Sequence, residues 1–380
     1  MRQFYRYMLL FLVIAFLAVF LIGPVYTVVE VGLDWRLLGE VFSNYIYVEG
    51  LLNSFCIAAV TTLMVFAISL PLALLYDRYE FPGKNWCNLL MMLPMILPPF
   101  VGALGFQQIL GHYGVVNTLL ASCGFEPVDF LGGRGRFWSV CFIEALHLYP
   151  ILYLNLVTAL GNLDPQLNEA ARNLGASWWT RFRRITLPLM KPGIFAGGSI
   201  VLVWSFTELG TPLMFGFNRV TAVQIFNGIM ELETNPVPYA LVVVMLFFAA
   251  VMYLAGKFVL GRNAANSTVK GNAGSAARPP AGWRRFLPTG VFALVTLLAA
   301  LPHIALIFTA FSLRWYGTVW PEHFTLLNFE NALSNKIVIP SIVNSLRYSV
   351  LAMLVAVAAG VLISLAAVRW KLRGSSFADL

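Results

Sequence analysis

Residues 169–188 read EAARNLGASWWTRFRRITLP, from Glu169 to Pro188, and lie between two strongly apolar segments. So polar, basic and aromatic an insert needs a partner, because lipid gives it nothing to bind. Helix signals surround it. Asp164 suits the N-cap, Pro165 suits the first helical position, and Glu169 falls near the first turn, where negative charge is favoured. Gly175 suits a helix C-cap. Ser177 can start a second short helix carrying Trp178, Trp179 and Phe182 with Arg181, Arg183 and Arg184. Two short helices joined at a glycine, within 164–190, make a compact knob at one end of whatever the apolar segments build.

The rest of the chain says what that is. Hydrophobic residues make up 59% and charged residues 11% of the sequence, against roughly 25% charged in soluble domains. So apolar a chain cannot hide its side chains in a water-soluble core, and the sequence predicts an all-α, polytopic membrane helix bundle. Apolar runs long enough to cross about 30 Å of hydrocarbon fall at roughly 8–29, 51–76, 87–110, 137–160, 190–213, 237–260, 286–312 and 342–368, about eight helices. The first lacks a small-residue cleavage site and reads as a membrane helix, not a cleaved signal. The run Leu-Pro-Met-Ile-Leu-Pro-Pro at 93–99 is expected to bend or break the third helix.

Basic residues set the expected orientation. With the N-terminus inside, eighteen of the 25 lysines and arginines fall on the knob's side and seven on the other. The positive-inside rule therefore places the knob and the N-terminus in the cytoplasm. The net charge of +8 is thus a membrane signal and not a nucleic-acid one. Cys56, Cys87, Cys123 and Cys141 have no CxxC spacing, so neither a zinc site nor a disulfide framework is expected.

The knob carries a recognisable pattern. Glu169, Ala170 and Ala171, then Gly175, Ile185, Leu187 and Pro188, follow the spacing Glu-Ala-Ala, three residues, Gly, nine residues, Ile, one residue, Leu-Pro without departure. This resembles the signature of the permease subunits of binding-protein-dependent ABC importers. The resemblance implies a type I importer permease fold in the inner membrane. It also implies a coupling role for the knob and alternating access driven by separate ABC ATPase subunits. A periplasmic solute-binding protein is the implied partner on the other side. Trp178, Trp179 and Phe182 can then anchor on the ATPase or form an interfacial belt, and Arg181, Arg183 and Arg184 can pair with ATPase acids or lipid headgroups.

The pattern begins again late in the chain. Asn53-Ser54 recurs as Asn344-Ser345, and at the same offset Leu63 meets Leu354, Arg78 meets Arg369, Gly83 meets Gly374 and Leu89 meets Leu380. The expected organisation is a first permease domain of six helices at 1–260, a cytoplasmic linker rich in Gly, Ala, Asn and Ser at 261–285, and an incomplete second repeat of two helices at 286–380. A second knob would start near residue 460, so a fused tandem permease shortened at its C-terminus is expected. The second knob an importer needs would come from a missing C-terminal half or a second copy.

Other chemistry is absent from the sequence. It holds no GxxxxGK[ST] phosphate loop, no HExxH and no GxSxG; Gly83-Lys84 and Gly256-Lys257 lack the flanking pattern. The chain is therefore not expected to be an enzyme or to bind a cofactor, and ATP and Mg belong to the partner. Candidate pathway groups are Glu144, His147 three residues on, and Glu208. Their alternative is structural bonding to helix ends or to an arginine such as Arg136. The layout, with LPPFVGALGF at 97–106 and GHYGVVNTLL at 111–120, most resembles iron(III) importers. Thiamine, phosphonate, sulfate and polyamine importers are close relatives in that scheme. Ferric iron favours carboxylate or phenolate oxygens, and Glu144, Glu208, Tyr149 and Tyr153 are compatible with that. From other classes, a channel would need no knob. A polytopic membrane enzyme would need a catalytic cluster that the sequence does not display.

Overall fold

A computed structural model describes residues 18–96, 98–133, 135–229, 235–260 and 282–365, with positions 8, 11 and 14–16. Among them every named regular element is helical. The elements used below are α1 (Gly23–Gly32), α2 (Tyr45–Arg78), α3 (Lys84–Leu90), α4 (Pro99–Leu110), α5 (Gly135–Gly161), α6 (Pro165–Asn173), α7 (Trp178–Arg181), α8 (Lys191–Thr207), α9 (Gly210–Met214), α10 (Thr221–Gly228), α11 (Val237–Leu260), α12 (Phe286–Ala310) and α13 (Val338–Ser364). Among the described residues seven helices are long and apolar enough to cross a membrane, or eight if one bent pair counts as a single span. These fall on the expected apolar runs as far as the described residues reach.

The bent pair is the third one. A short 3-10 turn at Leu93–Met95 interrupts it, and Pro99 opens α4. Its halves, Lys84–Met95 and Pro99–Ser122, meet at 94°. Prolines remove amide donors and clash with the preceding turn, so this segment cannot remain one helix.

Two boundaries differ from the sequence expectation. α2 begins at Tyr45, where the Asn44 side chain caps it by accepting from the Ile46 amide at 3.0 Å. The apolar run marked only the lipid-crossing part, and the cap extends the helix to 34 residues. Within the expected linker, Gly282–Arg285 forms a 3-10 turn leading into α12. The rest of the linker at 261–281 lies outside the described residues, as do 366–380 with the repeat positions Arg369, Gly374 and Leu380.

Three helices form the centre. α5 contributes Tyr149, Leu152, Tyr153 and Leu156, α2 contributes Val65, Leu72 and Ala73, and α8 contributes Val201; Phe292 of α12 closes the cluster. The Tyr149 hydroxyl donates to the Met91 carbonyl at 3.1 Å, and the Tyr153 hydroxyl donates to Asn88 at 2.9 Å. Both buried phenols are thereby satisfied. α8 crosses α5 through glycines. A Cβ on Gly197 would lie 2.9 Å from the Leu152 Cα, so no larger residue fits without displacement. Close backbone approach through small residues is how membrane helices pack without a hydrophobic drive between them. α13 differs, since none of its described residues is buried.

Candidate functional site

The knob is built as its sequence dictates, with one correction. Asp164 caps α6, its carboxylate accepting from the Gln166 amide at 2.9 Å, and Pro165 occupies the first turn. Glu169, however, stands in the second turn, beyond the amides that a first-turn acid would reach. At the other end Gly175 takes φ +80°, the left-handed conformation that glycine adopts without a Cβ penalty. The Ala176 amide donates to the Ala171 carbonyl at 3.0 Å and the Gly175 amide to the Arg172 carbonyl at 2.9 Å, which closes the helix end. Ser177 then caps α7, accepting from the Thr180 amide at 3.2 Å. Phe182–Thr186 continues as a π-helical turn, and Leu187–Leu189 completes the approach to α8.

The knob's inner side is aromatic and cationic. Trp178 stacks on Phe182 with ring centroids 5.6 Å apart and planes 12° apart, and Trp179 flanks Phe182 at 5.8 Å. The Arg78 guanidinium, from the last residue of α2, lies 5.7 Å from the Trp178 ring centre. Arg181 reaches back to the Asn168 carbonyl at 3.5 Å and so ties α7 to α6. Between the knob and the ends of α2 and α5 is a cavity of about 390 Å³ lined by Asp77, Arg78, Asn168, Glu169, Arg172 and Arg181 among others.

The outer side is a different surface. Leu167, Ala170 and Leu174 follow one another at helical spacing, and all three are exposed, Leu174 to 88%. On the aromatic side Trp178 and Trp179 are exposed as well. Of the remaining signature residues, Ala171, Ile185 and Leu187 are half-buried, Glu169, Gly175 and Pro188 are exposed, and Arg183 and Arg184 are exposed beside the π turn. Leu167 and Leu174 were not singled out by the sequence reading. Their spacing from Ala170 was the available signal.

The interior candidates fall into separate arrangements. Glu144 is 2% exposed where α2, α5 and α8 meet. Its Oε2 accepts from the Ser205 hydroxyl and from Thr61 at 3.4 Å. His147 turns to another side, towards the Pro94 carbonyl and the Trp204 ring, 6.4 Å away between centroids. Glu208 ends α8 and caps α9. Its Oε1 accepts from the Gly210 amide at 2.9 Å and the Thr211 amide at 3.4 Å, and its Oε2 accepts from the Trp204 indole at 3.2 Å. Arg136, named as a partner for these acids, instead donates to the Leu131 and Gly216 carbonyls. Tyr149 and Tyr153 are committed to Met91 and Asn88, so they do not join the glutamates in an oxygen cage. Among the described residues no group of three His, Cys, Asp or Glu is placed to hold a metal ion.

A bundle of membrane helices with a broken third span and a two-helix knob defines a membrane transport permease of the ABC type. The chain belongs to the family of binding-protein-dependent transport system inner membrane components, which it matches over residues 69–263. It is 25% identical over 360 residues to the ferric transport system permease protein FbpB of Actinobacillus pleuropneumoniae, covering 89% of this chain and 49% of that one. It is 31% identical over 212 residues to a probable molybdenum ABC transporter permease protein of Haloferax volcanii, covering 55% and 75%. The sulfate transport system permease protein CysT of Escherichia coli is 26% identical over 207 residues, covering 53% and 72%. The chain spans about half the length of the ferric relatives it matches. In fold it is similar to the crystal structure of a bacterial ABC transporter involved in the import of alginate, with a TM-score of 0.57 and 19% identity, covering 69% of this chain and 96% of that one.

Proposed function

We propose that the chain is the membrane-spanning part of an ATP-driven importer, with its knob and N-terminus on the cytoplasmic side. ATP and Mg are held by a separate ATPase that docks on the outer side of the knob, and a periplasmic binding protein delivers the cargo to the opposite end. The observation that carries this reading is the exposed apolar ridge Leu167–Ala170–Leu174 at the end of a lipid-embedded bundle. Exposed apolar side chains rimmed by charge mark an interaction surface. The distribution of lysine and arginine supports the orientation.

The cargo we favour is iron(III). The ferric relatives align with 89% of this chain, across the linker and into the second repeat, whereas the molybdenum and sulfate relatives align with 55% and 53%. The organisation 1–260, 261–285 and 286–380 is part of this proposal. The higher identity of the molybdenum relative favours molybdate as the second reading. Glu144, His147 and Glu208 are assigned to the walls of the route, where they hold helices in place, and the binding protein supplies the selectivity.

The test is co-purification from native membranes. An ATP-hydrolysing subunit should accompany the chain, and Leu174→Asp should release it. Absence of such a subunit from the wild-type preparation would favour a channel. Uptake of ferric citrate against molybdate by the same membranes separates the two cargo readings.

A further inference from the structure

α2 touches both ends of the molecule. It has 34 residues, about 50 Å at 1.5 Å per residue. In its third turn the Asn53 side chain donates to the Arg219 carbonyl at 2.8 Å, and the Ser54 hydroxyl accepts from the Thr221 amide at 3.1 Å. Glu49 also pairs with Arg219. These contacts hold the loop that leads into α10. In the middle, Thr61 reaches Glu144. At its last residue Arg78 lies over Trp178, which is stacked in turn on Phe182.

A second observation comes from the sequence and is independent of these contacts. The internal duplication keeps Asn53-Ser54 as Asn344-Ser345 and Arg78 as Arg369, at one constant offset. Among the residues that recur are three that make these contacts, Asn53, Ser54 and Arg78; Leu63, in the middle of α2, recurs as well.

We infer that α2 is the rod linking the loop at 219–221 to the knob, and that Arg78 is the positioning residue that fixes Trp178 to it. This rests on the knob being the ATPase-facing element. The cavity between the knob and the bundle gives the knob room to shift. A shift is transmitted only where a contact differs in energy between two arrangements, and a guanidinium over an indole is such a contact. Arg78 itself touches neither ATP nor cargo.

The experiment measures ATP hydrolysis by the complete importer in proteoliposomes, with and without its binding protein. Arg78→Ala should lower the stimulation by the binding protein about two- to fivefold, the factor carried by a partly exposed cation–π contact. The ATPase should stay bound. Arg78→Lys should restore most of the stimulation. Trp178→Leu should cost the same factor as Arg78→Ala, and the double variant should be no worse than either single one. Wild-type stimulation in Arg78→Ala, multiplied losses in the double variant, or no rescue by lysine would each overturn the inference. Loss of the ATPase from Arg78→Ala would also overturn it, by placing Arg78 in docking itself. Failure of the underlying reading looks different, since Leu174→Asp would then keep its ATPase.

Discussion

The Ser205 hydroxyl of α8 donates to the Glu144 carboxylate of α5, at the point where both helices meet α2. Thr61 of α2 donates to the same oxygen. One acid thus joins three membrane helices, while its second oxygen has no hydrogen-bond partner. A polar group in a hydrocarbon setting is costly unless bonded, so this junction fixes the rotation of each helix about its axis.

Removing the donor on α8 should loosen that junction. Ser205→Ala is expected to lower stability by about 0.6–1.7 kcal/mol, the range for hydrogen bonds between membrane helices. Glu144→Gln keeps an oxygen acceptor and should retain both the fold and uptake. Thermal unfolding in detergent and vesicle uptake check these outcomes. Loss of uptake in a stably folded Glu144→Gln would assign the acid to cargo instead of structure.

Gly175 carries a second prediction. Its φ of +80° disfavours any Cβ, although no atom lies within 4 Å of where one would be. The cost is therefore conformational, about 1–2 kcal/mol. Gly175→Asp should insert normally and lose coupling of uptake to ATP hydrolysis. Gly175→Asn should be milder, because both side chains reach the left-handed region but aspartate also sets a negative charge at a helix C-terminus. Comparing uptake per ATP hydrolysed for the two variants checks the order.

The α5–α8 crossing gives a third. Gly197→Leu must displace Leu152 or separate the helices, and overpacking of this kind costs about 1–3 kcal/mol. Gly198, one residue on, has open space around it and should accept alanine without loss. Unequal melting temperatures for Gly197→Leu and Gly198→Ala are expected; equal ones would contradict the crossing.

Much of this was legible in the sequence, and the pattern of misses has a physical cause. The two caps of the knob, its glycine turn and the broken third span are local events, decided by residues within one or two turns of each other. Asp164, Gly175, Ser177 and the prolines at 94, 98 and 99 therefore announced them. The partners of Glu144 are 61 and 83 residues away in the chain, and nothing local marks Thr61 or Ser205 as belonging to it. The same holds for Arg78 and Trp178. Glu208 was legible as an acid near the outer end of an apolar segment. That its carboxylate caps α9 depends on a break that apolar periodicity does not show.

The central claim is that the knob presents its apolar ridge to a separate motor. A benzoylphenylalanine photo-crosslinker at exposed Ala170, in cells expressing the whole importer, tests it most directly. An adduct with an ATP-hydrolysing subunit is the predicted result. Adducts with phospholipid alone, in cells that are importing cargo, would contradict it.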